Sequence, residues 1–263
     1  MKRISAALGS VAAIALLSAP AFAGEINVYT ALEEDEIAAY LEQAAVDMPD
    51  VTINLLRLST GDLGARLIAE ANNPQADVVW GFALTNMLHK DIYSQLTPYG
   101  AKGMEELPEQ FRDADGRWFA PTGYVGAFCV NTERLEAIGA PMPEAWSDLT
   151  NPAYKDELVM PDPGSSGTGY LQIAAILQGM GEEDGWQLIK DIDPNMAQYT
   201  TSGSRPCRMA QAGEYAIGAS LSYVAMQGIE QGYPIEMIIP NDYAGFELEA
   251  NALMEAAKNP EDA

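Results

Sequence analysis

The fold is decided by residues 25–80, EINVYTALEEDEIAAYLEQAAVDMPDVTINLLRLSTGDLGARLIAEANNPQADVVW, where short apolar runs alternate with segments of helical spacing. Runs rich in branched residues predict strands, and apolar residues one turn apart predict amphipathic helices. Strand, helix, strand, helix and strand are expected over Glu25–Tyr29, Glu34–Met48, Val51–Leu58, Asp62–Asn72 and Ala76–Trp80. The first helix should be amphipathic, with Ile37, Tyr40, Leu41, Ala44 and Met48 on one stripe. This order predicts an α/β fold with a parallel sheet covered by helices.

A second run of the same kind follows a middle region that prolines break into short pieces. Trp118–Val130 (WFAPTGYVGAFCV) is extended and apolar, as expected of a segment that passes between two lobes. Further strands are expected over Glu157–Met160, Gln198–Thr200, Tyr215–Tyr223 and the end of Gly232–Ile239, and helices over Gly167–Met180, Gly185–Ile192, Ser204–Ala212 and Ala252–Lys258. The chain is long enough for one large domain or two lobes.

The first 23 residues have the pattern of a secretory signal peptide. Lys2 and Arg3 precede an alanine-rich apolar stretch, and Ala21-Phe22-Ala23 places small residues at the expected cleavage site before Gly24. The apolar stretch is short for a membrane span, which needs roughly 20 residues. An exported protein also meets an oxidising compartment, where Cys129 and Cys207 are permitted to form a disulfide. The sequence leaves that bond open, because it does not show whether the two residues approach each other.

The net charge of the chain limits the classes of partner that it is expected to bind. The formal net charge is −24, which repels phosphate backbones and anionic lipid. Nucleic acid is therefore excluded as an expected partner. An anionic ligand would need a pocket that is locally positive.

Four turns share one design, in which a predicted strand ends, small or hydroxyl residues follow, and a helix begins. The first backbone N–H groups of a helix lack internal partners and carry partial positive charge, so such a turn can bind a carboxylate, phosphate or phosphonate. Each turn can equally be a simple helix cap. The four are Thr30-Ala31-Leu32, Ser59-Thr60-Gly61, Ser165-Ser166-Gly167-Thr168 and Ser202-Gly203-Ser204. The third is denser in glycine and serine than capping requires.

Other side chains give weaker indications. Aromatic residues near strand ends are Tyr29, Trp80, Tyr124, Tyr199 and Tyr223, of which Tyr223 is the best candidate for a ligand contact. Arg205 and then Arg208 are the best placed cations for an anion. His89 is the one histidine, so any Ser-His or Cys-His pair must use it. One histidine and two separated cysteines argue against zinc, and no cofactor is expected.

Taken in order, several stretches resemble the extracellular solute-binding proteins of family 1, in the branch that takes up ferric iron, 2-aminoethylphosphonate and sugar phosphates. They are INVYTALEEDE (26–36), STGDLGARLIAEANNPQADVVWG (59–81), SDLTNPAYKDELVMPDPGSSGTGY (147–170), YTTSGSRPCRMAQAGEYAIGAS (199–220) and GFELEANALM (245–254). The resemblance implies a type II periplasmic-binding-protein fold, with two α/β lobes joined by a hinge. Lobe one would comprise residues 24–123 and 247–263, and lobe two residues 124–246. Relatives continue with further helices, so the C-terminus is expected to be truncated.

The resemblance also implies a set of ligand-binding residues, most of which the turns indicate independently. Ala83 rests on the resemblance alone. The set is Thr30, Ala31, Thr60, Ala83, Ser165, Ser166, Gly167, Thr168, Ser202, Gly203 and Tyr223.

The resulting hypothesis is a periplasmic, monomeric substrate-binding component of an ABC importer that is not an enzyme. It would capture a small anionic solute, a phosphonate or a sugar phosphate, and dock on an inner-membrane permease. One alternative is a ferric-iron binder using Tyr223, although Val224 stands where iron-binding relatives carry a second tyrosine. Another is a secreted α/β hydrolase that uses His89 or a carboxylate pair.

Overall fold

The structure is a computed structural model that describes residues 24–263. The predicted signal peptide lies outside these residues. The strands are β1 (Gly24–Thr30), β2 (Val51–Arg57), β3 (Val78–Ala83), β4 (Leu96–Thr97), β5 (Phe119–Asn131), β6 (Leu158–Pro161), β7 (Met196–Thr200), β8 (Ile217–Leu221), β9 (Ile235–Ile238) and β10 (Phe246–Met254). The helices are α1 (Glu34–Asp47), α2 (Thr60–Ala69), α3 (Leu84–Met87), α4 (Lys90–Tyr93), α5 (Thr132–Ile138), α6 (Gly167–Met180), α7 (Glu182–Ile192), α8 (Arg205–Gln211) and α9 (Ser222–Glu230). Short 3₁₀ turns occupy Met104–Glu106, Glu109–Phe111, Trp146–Thr150, Pro152–Tyr154 and Asp193–Asn195.

The strands form a continuous curled sheet whose order is β2-β1-β3-β10-β5-β8-β6-β7. Strand β5 divides it into two sheets. Its first half pairs antiparallel with β10, up to Val125 opposite Phe246, and its second half pairs with β8 and β9 from Gly126 onward. We call the part with β1–β4 and β10 the first sheet and the part with β6–β9 the second sheet. Strand β5 thus passes between them, as the sequence predicted for Trp118–Val130.

Each sheet contains a group of three parallel strands, each of which precedes a helix. Strand β1 pairs parallel with β2 and β3, and β6 pairs parallel with β7 and β8. The carboxyl ends of these strands therefore point toward a common region, where ligands bind in open α/β sheets. The sheet as a whole is mixed rather than parallel, because β5 and β10 run antiparallel to their neighbours.

Separate hydrophobic clusters cover the two sheets. Leu63, Val79 and Phe82 belong to the cluster on the first sheet, and Phe128 and Trp146 to one on the second. A third cluster surrounds a disulfide between Cys129 and Cys207, which joins β5 to α8. The sequence left this bond open, and the structure brings the two Cα atoms within 5.2 Å. No helix of the described residues is long and apolar enough to cross a membrane.

The apolar stripe of α1 is only partly covered. Only Ile37 is buried on this helix, whereas Tyr40 is 49% exposed and Met48 is 41% exposed. The ring of Tyr40 instead meets the edge of Trp80, with 5.4 Å between the ring centroids. Helical spacing identified the helix but not how much of its apolar side is covered.

Two further expectations fail near the end of the chain. The strand expected over Tyr215–Tyr223 ends at Leu221, and Tyr223 lies in the first turn of α9, a helix that the sequence did not predict. The helix expected over Ala252–Lys258 is wrong, because β10 runs to Met254. Residues 252–254 pair with β3 and β4, and burial in the sheet overrides the helical propensity of Ala252.

Candidate functional site

A cleft lies where the carboxyl ends of the parallel strands of both sheets converge. Residues just after β1, β2 and β3 line it from the first sheet, and residues just after β6, β7 and β8 line it from the second. The lining residues are Ala31, Glu33, Glu36, Arg57, Ser59, Thr60, Gly81, Ala83, Tyr124, Ser166, Gly167, Thr168, Gly203, Leu221 and Glu249. The volume that a water molecule can enter is only about 30 Å³, so the cleft is nearly shut. That space holds about one water molecule.

Most of the expected ligand-binding residues meet in this cleft. They come from turns that are distant in sequence, which supports reading these turns as parts of one site. Those that line it are Ala31, Thr60, Ala83, Ser166, Gly167, Thr168 and Gly203.

Three expected hydroxyl residues do not line the cleft, because their side chains hold the turns themselves. Thr30 is fully buried, and its Oγ1 accepts a hydrogen bond from the Leu32 amide at 3.2 Å. Ser165 Oγ donates to the Thr201 carbonyl oxygen at 3.2 Å. Ser202 Oγ lies 3.0 Å from Ser204 Oγ. The hydroxyl groups of these three residues therefore stabilise the turns that border the cleft.

Tyr223 also lies outside the lining. It sits on the first turn of α9, and its hydroxyl accepts a hydrogen bond from Gln227 Nε2 at 2.8 Å. Burial, followed by the carboxylates of Glu36, Asp35 and Glu33, raises the pKa of Tyr223. The Tyr223 side chain therefore lies near carboxylates of the cleft, although Tyr223 is not one of the residues that line it.

The first turns of α2 and α6 meet across the cleft. The Gly61 amide, in the first turn of α2, donates to the Ser165 carbonyl oxygen at 2.8 Å, which ties the two sheets together. A Cβ placed on Gly167 would lie 2.7 Å from Thr60 Oγ1, so glycine is required for this approach. Ser166 Oγ caps α6 by accepting from the Gly169 amide at 3.3 Å. Two helix N-termini thus present polar hydrogens toward one narrow space.

Carboxylates also line the cleft. Glu33 bonds to Arg57 at 3.2 Å and to Arg208 at 3.6 Å, and Arg208 also reaches Asp35 at 3.5 Å. Glu36 accepts from the Glu33 amide at 3.2 Å, which closes the first turn of α1. These residues are not distinguishable in the sequence, which contains 38 acidic side chains without a distinguishing pattern.

Glu249 is the most unusual member of the acidic side. It lies on β10 and is 8% exposed, and its Oε2 accepts from Thr122 Oγ1 at 2.8 Å. Burial is the main cause that raises the pKa of this carboxyl to about 7, and the nearby Glu36 and Glu33 raise it as well. Glu247, two residues earlier, is also buried but turns to Thr85, whose hydroxyl donates at 2.6 Å.

The expected cations take other roles. Arg205 is exposed and does not line the cleft. Arg208 is engaged by Glu33 and Asp35, so it joins the two sides of the cleft. The cation that does line the cleft is Arg57, which the sequence did not single out. Its Nε donates to the Leu32 carbonyl oxygen at 3.1 Å.

The described residues assemble neither a histidine-based catalytic pair nor a cluster of His, Cys, Asp and Glu metal ligands. His89 caps α4, with Nδ1 accepting from the Asp91 amide at 3.4 Å, and no serine or cysteine of the described residues hydrogen bonds to it. It lies at the outer mouth of the cleft, in a groove that it shares with Gly61 and Ser166. Within residues 24–263, no group of three or more His, Cys, Asp or Glu side chains is arranged to hold a metal ion.

Comparisons with known proteins agree with this geometry. A structure of the periplasmic binding protein AfuA from Actinobacillus pleuropneumoniae, with exogenous fructose-6-phosphate bound, superposes with a TM-score of 0.85 at 31% identity, over 91% of this chain and 76% of that one. The periplasmic binding protein P5PA superposes with a TM-score of 0.81 at 28% identity, over 91% and 77% of the two chains. The fold is therefore the two-lobed type II fold of periplasmic binding proteins.

The family follows from the sequence comparisons. The family described as bacterial extracellular solute-binding protein matches residues 73–261, and the chain belongs to it. An uncharacterised protein of Haemophilus influenzae is 34% identical over 220 residues, which are 81% of this chain and 63% of that protein. A probable ABC transporter periplasmic-binding protein of Sinorhizobium fredii is 31% identical over 195 residues, 71% of this chain and 52% of that protein. The chain thus spans about half to two thirds of the length of these curated relatives.

Proposed function

We propose that this protein is the periplasmic substrate-binding component of an ABC importer and that it captures a small phosphorus-containing anion, a phosphonate or a sugar phosphate, between its two lobes. The observation that carries the proposal is the meeting of the α2 and α6 N-termini in one cleft, with Thr60, Ser166, Gly167 and Thr168 facing the space between them. Backbone amides at helix N-termini bind phosphate and phosphonate oxygens without a basic side chain.

The relatives support both parts of this proposal. A related binding protein carries fructose-6-phosphate, and a relative in Sinorhizobium fredii is described as a probable ABC transporter periplasmic-binding protein. Members of the family bind solutes, so we infer that this protein binds its solute without transforming it. Its partner would be an inner-membrane permease that recognises the closed form of a monomer.

The lobes we propose are residues 24–123 with 247–263, and residues 124–246. The change of partner along β5, from β10 up to Val125 to β8 from Gly126, supports a boundary at this point. Gly245 and Phe246 begin the return strand, which supports the second boundary. Both connections are single extended strands, a geometry that suits a hinge.

Capture requires the lobes to separate. The present cleft has room for about one water molecule, so a solute enters only when the Gly61–Ser165 hydrogen bond opens. The solute then stabilises the closed form, because contacts from both lobes exist only there. Converting a protein that is 99% open into one that is 99% closed takes roughly 5.5 kcal/mol of differential binding.

The proposal is tested by the melting temperature of the purified protein in the presence of single solutes. We expect an increase with one or more of 2-aminoethylphosphonate, other phosphonates and sugar phosphates, because a ligand of the native state stabilises it by mass action. An increase with ferric citrate alone would replace the proposed ligand by iron. No increase with any phosphorus compound would contradict the proposed ligand class.

A variant locates the binding in the cleft. Thr168→Val removes a buried hydroxyl at the α6 N-terminus while keeping the shape of the side chain. We expect it to weaken binding of the active phosphorus compound by about 10-fold, the effect of one hydrogen bond to a charged group. Thr52→Val, on an exposed position of β2, is the matched control and should bind like the parent. Equal affinities of the two variants would remove Thr168 from the site.

A further inference from the structure

Glu249 has one carboxylate oxygen, Oε1, that receives no hydrogen bond from any group of the described residues. The side chain lines the cleft and belongs to a residue that is only 8% exposed. Thr122 Oγ1 bonds to Oε2, but within the described residues nothing donates a hydrogen bond to Oε1, and no lysine or arginine forms an ion pair with this carboxylate. A buried charged group without a partner carries a large desolvation cost.

The groups that face Glu249 make its position more costly. Glu33 and Glu36 approach from α1, Glu247 shares its strand, and Tyr124 lies on β5. Arg57 is nearby, but its guanidinium bonds to Glu33 and to the Leu32 carbonyl oxygen. The protein thus neutralises Glu33 and leaves Glu249 open toward the cleft.

We propose that Glu249 binds a protonated amine of the captured solute. This inference rests on the proposed function and refines it: the solute carries an ammonium group at one end and a phosphonate or phosphate at the other. Both kinds of partner line the cleft, since it contains the carboxylates of Glu36 and Glu249 as well as the first turns of α2 and α6. Glu249 is then the residue that selects amino-bearing phosphorus compounds over neutral ones.

An ammonium group suits this position better than a hydroxyl group. A hydroxyl supplies one hydrogen bond but leaves the buried charge uncompensated, whereas an ammonium supplies charge and three donors. Glu36 lines the same cleft and can share those donors. A zwitterionic solute also resolves the conflict between a phosphorus anion and a protein of net charge −24.

The test uses two pairs of compounds that differ in the amine. In the first pair, 2-aminoethylphosphonate is compared with propylphosphonate, which has a methyl group in place of the ammonium. In the second, glucosamine 6-phosphate is compared with glucose 6-phosphate. Calorimetric titration of the purified protein at pH 8 should give roughly 10-fold or greater preference for the amine in at least one pair, as expected for a charged hydrogen bond.

Variants then assign the preference to Glu249. Glu249→Gln should abolish the preference by weakening the amino compound, while its uncharged partner binds as before. Glu247→Gln is the matched control, because it removes a buried carboxylate two residues away that does not line the cleft. It should retain the preference. Circular dichroism and the melting temperature verify that both variants are folded.

The possible failures are distinguishable. If the compounds bind but both members of each pair bind equally, the inference about Glu249 is overturned and the proposed function stands. A preference that survives in Glu249→Gln also overturns it. If no phosphorus compound binds to the folded parent protein, the proposed function falls, and this inference falls with it.

Discussion

At the scale of single residues, Glu249 shows the electrostatic cost of a carboxyl group that is buried in the cleft. The carboxyl is buried on the return strand β10, beside Glu33 and Glu36, and its pKa rises to about 7. An ordinary glutamate has a pKa of 4.5, so between these values the folded protein holds a proton that the unfolded chain releases. This carboxyl therefore makes the unfolding free energy fall as the pH rises from about 4.5 to about 7.

Glu249→Gln should consequently stabilise the protein without solute above pH 7. The gain should be of the order of 1–3 kcal/mol, since each pKa unit corresponds to about 1.4 kcal/mol. It should shrink toward zero below about pH 4.5, where the parent carboxyl is protonated in both states. Urea unfolding at the two pH values measures the difference, and Glu230→Gln, at an exposed position, serves as control. A gain that does not depend on pH would contradict the assigned cause.

The residues that the sequence identified are those with a local pattern. Ser166, Gly167 and Thr168 follow a strand and begin a helix, and this spacing is visible without a structure. Glu249 and Arg57 have no such pattern. They enter the cleft only because β10 and β2 lie where the sheet order places them, which depends on pairing between distant segments.

At the scale of elements, the closed cleft depends on how closely α2 approaches the loop before α6. A Cβ on Gly61 would collide with the Gly164 carbonyl oxygen and would lie 2.9 Å from Ser165 Cα. These are backbone atoms, so they are unable to rotate away. The disulfide between Cys129 and Cys207 holds α8 against β5.

Gly61→Ala should therefore hold the lobes apart while leaving each lobe folded. We expect roughly 10-fold or weaker binding of the solute that stabilises the parent, because the contacts made only on closure are lost. Small-angle X-ray scattering with that solute should show a radius of gyration that stays at the open value. Gly100→Ala is the control, since a Cβ there meets nothing within 4 Å. Normal closure of Gly61→Ala would contradict the role assigned to this contact.

The sequence predicted elements well where hydrophobic spacing was regular and poorly where sheet pairing decided. The predicted helix over Gly167–Met180 has the observed bounds of α6. The residues after Leu221 look strand-like in sequence but form α9, which has Tyr223 in its first turn. Ala252 favours a helix locally, yet its pairing with Val79 on β3 makes it part of a strand.

At the scale of the whole molecule, ion pairs join the two lobes across the cleft. Arg208 of α8 reaches Glu33 at 3.6 Å and Asp35 at 3.5 Å, on the other side. The Arg208 side chain is 43% exposed, so solvent screens these pairs and together they contribute at most about 1 kcal/mol. They adjust the balance between open and closed forms without determining it.

Arg208→Gln should weaken solute binding by no more than about 5-fold, because only this modest contribution to closure is lost. The difference from the parent should vanish at about 1 M salt, where the screening length falls to about 3 Å. Calorimetric titration at low and high salt measures it. Arg205→Gln, at a nearby exposed arginine that forms no ion pair within the described residues, should have no effect. A loss that persists at high salt would indicate a direct contact between Arg208 and the solute.

Calorimetric titration decides whether the purified protein recognises the phosphorus group of a solute. The protein is titrated with fructose 6-phosphate, with fructose, and with the amino-bearing phosphorus compounds. The proposal predicts binding of one or more phosphorus compounds and no detectable binding of fructose, because the helix N-termini of the cleft recognise the phosphorus group. Binding of fructose as tight as that of any phosphorus compound, or of ferric citrate alone, would contradict it.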